Sequence, residues 1–275
     1  MKIDAHQHFW SLKRGDYHWL TPERGLLYRD FLPDDLRPLI DAAGIKGTIL
    51  VQAAATLAET EFMLSLSDQH DFILGVVGWV DMADPGASAQ IEKFNQHPKF
   101  CGIRPMLQGI QDTDWVLHPA LTPAFETLIA CDLTFDALIT PRHLPTLLQL
   151  LKRHPKLRVV IDHGAKPNIA DGGWDDWADP ILQLAQHKNV YCKLSGLITE
   201  CGDGQNLDAT ADYGLHLLKA FGPSRVMFGS DWPVCLTKGS FDDWHTRAHG
   251  LIRHAFGAAH GASMGANAAE FYRLK

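Results

Sequence analysis

No apolar run in this 275-residue chain approaches the roughly 20 residues a membrane helix needs, which argues against a membrane-spanning protein. Basic blocks are missing as well. The net charge is -7 and no Lys/Arg stripe appears, so nucleic acid is not an expected partner. Cysteine is sparse: Cys101, Cys131, Cys192, Cys201 and Cys235 are odd in number and form no C-x-x-C pair. That usage speaks against a disulfide scaffold and for a reducing, cytoplasmic setting. A strand that already carries chemistry begins at residue 3, so no signal peptide is expected. No G-x-S-x-G elbow is present, and no glycine-rich phosphate loop follows the first strand. Serine-nucleophile and dinucleotide schemes therefore fit poorly.

What the chain does have is apolar substance and rhythm. Hydrophobic residues make up 46% and charged residues 21%, enough for a sizeable core. Eight β-branched, apolar runs recur: Ile3–His8, Gly47–Ala53, Ile73–Val80, Cys101–Met106, Leu133–Leu138, Arg158–His163, Val190–Ser195 and Arg225–Asp231. They start roughly 25 to 44 residues apart, the spacing of repeated βα units. Helical patterns lie between them, at Pro33–Ile40, Pro123–Ala130, Arg142–Arg153 and Asp179–His187. The expected fold is α/β, a single (β/α)8 TIM barrel spanning residues 1–275 as one domain, with a doubly wound open sheet as the runner-up. A long aromatic loop from about Trp10 to Asp30 follows the first strand and reads as a lid or substrate wall.

In such a barrel, reactive groups gather where strands end at the C-terminal rim. The first strand, Lys2-Ile3-Asp4-Ala5-His6-Gln7-His8, places His6 and His8 on one face if it is regular, with Asp4 beside them. Two imidazoles so placed can converge on a metal ion or on a carbonyl oxygen. The other strand ends contribute Gln52, Arg104, the pair Asp162-His163, and Asp231; Lys166 and Lys193 are weaker candidates. Strand parity turns His163 inward and leaves Asp162 to anchor the helical layer. An ionised Asp231 could take a proton from water while His6, His8, His163 or a metal polarises the electrophile.

Several segments, in order, resemble a known family. Asp4-Ala5-His6-Gln7-His8-Phe9-Trp10, Arg29-Asp30-Phe31-Leu32-Pro33, Asp162-His163-Gly164-Ala165-Lys166-Pro167, Cys192-Lys193-Leu194-Ser195-Gly196 and Phe228-Gly229-Ser230-Asp231-Trp232-Pro233 are similar to the sugar-lactonase branch of the amidohydrolase superfamily. That branch includes L-fuconolactonase and L-rhamnonolactonase and is similar to 2-pyrone-4,6-dicarboxylate lactonase. The resemblance implies an enzyme, a carboxylic ester hydrolase that opens a small lactone. In it Asp231, His6, His8 and His163 would be catalytic. Arg104 and Gln52, with Trp10, Trp232 and Lys166, would face the substrate. The chain departs from the dinuclear members. Its fourth strand offers Arg104 rather than a bridging Lys or Glu, and its fifth, Thr134-Phe135-Asp136-Ala137-Leu138, has no His. One divalent ion such as zinc, held by His6, His8 and Asp231, and a metal-free site are both compatible with this pattern. The expected partner is a small-molecule lactone, with a homodimer left open. A metal-dependent decarboxylase of the same superfamily and a non-catalytic sugar-acid binding barrel are the alternatives.

Overall fold

The structure is a computed structural model and describes residues 1–274. Eight parallel strands pair in sequential order: β1 (Ile3–Gln7), β2 (Gly47–Val51), β3 (Ile73–Gly78), β4 (Phe100–Ile103), β5 (Thr134–Ala137), β6 (Arg158–Ile161), β7 (Val190–Leu194) and β8 (Val226–Phe228). The last strand returns to the first. His8 N–H donates to Trp232 O at 2.8 Å and Asp231 N–H to His6 O at 2.8 Å. The sheet thus closes into a (β/α)8 barrel, and the backbone seam that closes it carries four of the expected site residues, His6, His8, Asp231 and Trp232.

A helix follows each strand: α1 (Pro33–Ala43), α2 (Leu57–Gln69), α3 (Ala87–Asn95), α4 (Thr122–Ala130), α5 (Leu144–Arg153), α6 (Asp175–Leu184), α7 (Thr210–Phe221) and α8 (Phe241–Phe256). Their starts carry familiar devices. Pro33 opens α1, whose Asp35 carboxylate accepts the Leu32 N–H, and Ser240 caps α8 by accepting from the Asp243 N–H. Acidic side chains in these first turns suit the positive end of the helix dipole. A short α9 (Asn267–Phe271) then crosses the bottom of the barrel.

Two apolar cores result. The larger lies between sheet and helices. The smaller fills the barrel itself, where Ile3, Ala5, Ile49, Val51, Val77, Val160 and Met227 meet Ala268, Phe271 and Tyr272 from the closing segment. Because this interior is plugged from below, polar groups inside the barrel can meet substrate only at the upper mouth.

The strands are shorter than the apolar runs. All eight sit within or across the expected segments, but the runs continue into irregular backbone at the mouth. The site residues therefore sit beyond regular β geometry, and simple alternation fails twice. Pairing between β1 and β2 shifts register between Asp4 and Gln7, so Ala5 and the next residue, His6, both face the interior. Strand β6 stops at Ile161, and His163 turns left-handed with φ 53°. Asp162 and His163 consequently both point inward. The parity argument that sent Asp162 toward the helices is corrected by that turn.

Candidate active site

Four groups from three strand ends converge at the mouth. His6 Nε2 lies 3.2 Å from His8 Nε2 and 3.7 Å from Asp231 Oδ1. His8 Nε2 is 3.4 Å, and His163 Nε2 3.8 Å, from the same carboxylate oxygen. All four side chains are buried.

Each ring is aimed by a contact on its other nitrogen. His8 Nδ1 donates to Val51 O at 2.7 Å, and His163 Nδ1 meets Ser195 Oγ at 2.9 Å. His6 Nδ1 faces Lys193 Nζ at 3.1 Å and Asp162 Oδ1 at 3.4 Å. Two glycines make the closeness possible. A Cβ on Gly229 would stand 2.7 Å from His6 Cβ, and one on Gly196, which has φ +62°, would stand 2.5 Å from His163 Nδ1. Asp231 is itself left-handed at φ 55°, a conformation Asp tolerates better than most residues.

Electrostatics set one anion against two neutral rings, His6 and His163. Burial pushes the Asp231 carboxyl up, but His163, His8 and His6 outweigh it and hold the carboxyl below its ordinary value. Burial, with a smaller repulsion from Lys193, drives His6 well below an ordinary histidine. Burial likewise lowers His163 to about 4. Near neutral pH an ionised Asp231 therefore faces uncharged His6 and His163. Beneath them Asp4 Oδ1 accepts the N–H groups of His6 (3.1 Å) and Ser230 (2.8 Å), tying β1 to the segment after β8.

Arg104 approaches from β4. Its Nη1 is 3.2 Å from Asp162 Oδ2 and 3.4 Å from His6 Nε2. Its Nη2 donates to the backbone and side-chain oxygens of Gln52, while Gln52 Nε2 donates back to Arg104 O at 2.8 Å. This reciprocal clamp fixes the guanidinium plane.

A cavity of about 360 Å³ opens above this floor, within the range of small-molecule sites. Of the residues expected from the sequence, His8, Arg104, His163, Lys166 and Asp231 line it. His6 lies just below, and Gln52 is fully buried behind Arg104. Lys166 stands on the wall with its ammonium 3.0 Å from Glu200. Trp10 and Trp232 are not among the lining side chains. Both pack against Phe31, at ring-centroid distances of 5.3 Å, in an aromatic layer beneath the long loop. That loop supplies Trp19, Arg24 and Leu27 to the cavity, and Asp30 pins its base by accepting from Ser11 Oγ (3.0 Å) and Leu12 N–H (2.7 Å). Met106, Leu138 and Val234 add an apolar wall that the sequence reading did not single out.

The donor atoms also suit a metal. His6, His163 and Asp231 offer ligand atoms all within 4.8 Å of one another, and His8 Nε2 is adjacent. Around tetrahedral zinc, donors at about 2.0–2.1 Å stand roughly 3.3 Å apart, close to the 3.2–3.8 Å separations seen here. This cluster of His6, His163 and Asp231 shares two members with the expected set of His6, His8 and Asp231 and adds His163.

Comparison with known proteins finds relatives over the whole described chain. The amidohydrolase family pattern matches residues 3–274. An L-fucono-1,5-lactonase of Burkholderia ambifaria is 44% identical over 99% of this chain and 96% of its own length. An L-fucono-1,5-lactonase of Burkholderia multivorans is 35% identical over 100% and 96%. A crystal structure of an amidohydrolase from Burkholderia multivorans with bound zinc superposes with a TM-score of 0.94 at 36% identity, covering 100% of both chains.

Proposed function

The chain belongs to the amidohydrolase family, and from that premise we propose that it is a lactonase that opens a sugar-acid lactone, L-fucono-1,5-lactone being the first substrate to test. The observation that carries this reading is the Asp231 carboxylate ringed by three imidazoles at the floor of the cavity.

In the proposed reaction Asp231 takes a proton from a water molecule as that water attacks the lactone carbonyl carbon. The tetrahedral oxyanion that forms draws hydrogen bonds from the histidine edges and the Arg104 guanidinium, which are already in place and need no reorganisation. The ring C–O bond then breaks, and Asp231 returns the proton to the departing ring oxygen. The product is the open hydroxy acid. Lys166 and Arg24 on the wall suit the substrate hydroxyls, while Met106, Leu138 and Val234 suit an apolar edge of the ring. Gln52 acts through Arg104, and Trp10 and Trp232 act by holding the loop that carries Trp19 and Leu27.

His6, His8, His163 and Asp231 are the residues that would hold a divalent ion, zinc for preference. When bound it would polarise the lactone carbonyl. Unpaired cysteines support a reducing compartment, and we place the protein in the cytoplasm. No helix among the described residues is long and apolar enough to cross a membrane.

A panel of sugar lactones assayed by acid release, with and without a chelator, tests the proposal. Saturable opening of a sugar lactone supports it. Folded protein that opens no lactone but releases carbon dioxide from a carboxylated substrate would replace it with a decarboxylase.

A further inference from the structure

Three successive backbone carbonyls at the top of β2 each hold one side chain of the site. Val51 O meets His8 Nδ1 at 2.7 Å. Gln52 O accepts from Arg104 Nη2. Ala53 O accepts the indole N–H of Trp19 at 2.7 Å. His8, Arg104 and Trp19 line the cavity, and so does Ala53. This short backbone stretch therefore sets the place of a floor imidazole, the guanidinium and part of the wall.

The stretch lies where the sheet runs out. Gln52 N–H still donates to Val77 O at 2.9 Å, but Ala53 N–H leaves the ladder and donates to Glu59 Oε1 at 2.9 Å. Glu59 sits in the first turn of α2, is fully buried and does not line the cavity. Its other oxygen, Oε2, accepts the Tyr17 hydroxyl at 2.6 Å. Tyr17 belongs to the long loop, two residues before Trp19. Arg14 Nη2, 3.4 Å from Glu59 Oε2, is held by Asp16 Oδ2 at 2.5 Å, and Thr56 donates to that same Asp16 oxygen at 2.8 Å. A buried carboxyl is tolerated when its oxygens are hydrogen-bonded. Here the two oxygens join the end of β2 to the loop that roofs it.

We propose, on the lactonase reading, that Glu59 is a positioning residue: it fixes Arg104 through the Gln52–Ala53 peptide and Trp19 through the loop.

The link to Arg104 is a single rigid unit. The carbonyl of Gln52 and the N–H of Ala53 belong to one planar, trans peptide and point in opposite directions. Anchoring that N–H on Glu59 aims the carbonyl at the guanidinium. The link to Trp19 is a closed circuit. Tyr17 is tied to Glu59, Glu59 to Ala53 N–H, and Ala53 O to the Trp19 indole, so the loop cannot lift without breaking one of these bonds. Without the carboxyl, a buried N–H and a buried hydroxyl both lose their acceptor and must turn to find another.

Three variants test the two links. Glu59→Met keeps the bulk and removes both acceptors. On L-fucono-1,5-lactone its kcat/KM is expected to fall about tenfold to a hundredfold, with kcat sharing the loss because Arg104 faces the oxyanion. Glu59→Gln keeps an acceptor for the Ala53 N–H and is expected to restore kcat to within about threefold of wild type. Tyr17→Phe cuts only the loop link, and is expected to raise KM about threefold or more while kcat holds. The Trp19 indole N–H, followed in ¹H–¹⁵N spectra and assigned by its loss in Trp19→Phe, gives a readout free of turnover. Its exchange with solvent is expected to quicken at least about tenfold in Tyr17→Phe and in Glu59→Met. Quickened exchange in a protein that opens no lactone would fault the lactonase reading and leave the anchor standing. Unchanged exchange in the folded variants, or wild-type kcat in folded Glu59→Met, would overturn the proposal. Should Glu59→Met fail to fold, unchanged exchange and KM in Tyr17→Phe would overturn it alone.

Discussion

Replacing Asp231 with Asn is the most informative single change, because the backbone around it discriminates between loss of chemistry and loss of fold. Asn matches Asp in shape and tolerates the left-handed φ of 55° at this position. The backbone bonds from Asp231 N–H to His6 O (2.8 Å) and from Cys235 N–H to Asp231 O (2.9 Å) do not involve the side chain. What disappears is the negative charge held near three imidazoles at 3.4–3.8 Å. An amide cannot take the water proton. A positioned general base contributes roughly 10²- to 10⁴-fold, so kcat should fall by that factor, equivalent to about 3–5.5 kcal/mol in the barrier. KM should change little, because the cavity walls are untouched. Acid release from the lactone, followed with a pH indicator, gives both constants, and thermal unfolding checks the fold. A folded variant that keeps more than about a tenth of wild-type kcat would refute the assignment of Asp231 as the base.

Gly229→Ala places a Cβ 2.7 Å from His6 Cβ and 3.1 Å from that of Ser195, so it should cost about 1–3 kcal/mol by denaturant unfolding and lower kcat as His6 is displaced. Arg104→Lys loses the fork that grips Asp162 and both Gln52 oxygens; a rise in KM of about tenfold or more is expected in the lactone assay, where an unchanged KM would remove Arg104 from substrate binding. Glu59, which accepts from Tyr17 and the Ala53 N–H at the foot of the long loop, is raised by burial to about 7. A carboxyl raised on folding stabilises the fold fully below its unfolded value of 4.5, and that contribution is lost as pH rises through about 7, by at most about 1.4 kcal/mol per unit. Unfolding temperatures at about pH 5 and pH 8 should therefore differ less in Glu59→Gln than in the wild type.

The barrel was legible because parallel strands buried on both faces leave long apolar runs, and eight of them at βα spacing admit few other closures. Strand-end polarity located His6, His8, Arg104, His163 and Asp231 for the same reason. What escaped was the geometry where strands give way to irregular backbone. The register shift in β1 and the left-handed turn at His163 leave no mark in an alternation pattern, so Asp162 was assigned to the wrong layer. Trp10 and Trp232 are indistinguishable from substrate walls in sequence, since an aromatic beside a site residue can face the ligand or the core. Asp136 and Lys193 did leave a signal: a charged residue in the middle of an apolar strand needs a buried partner of opposite sign. Only the fold shows that they partner each other.

The central claim is that Asp231 and the imidazoles of β1 and β6 act together on one carbonyl at the mouth. The structure of Asp231→Asn soaked with L-fucono-1,5-lactone tests it most directly. The account predicts an intact ring in the cavity, its carbonyl carbon about 3–3.5 Å from a water held by the side chain at position 231, and an oxygen of the ring at Arg104. A lactone bound with its carbonyl turned away from His8 and position 231, or seated outside this cavity, would contradict it.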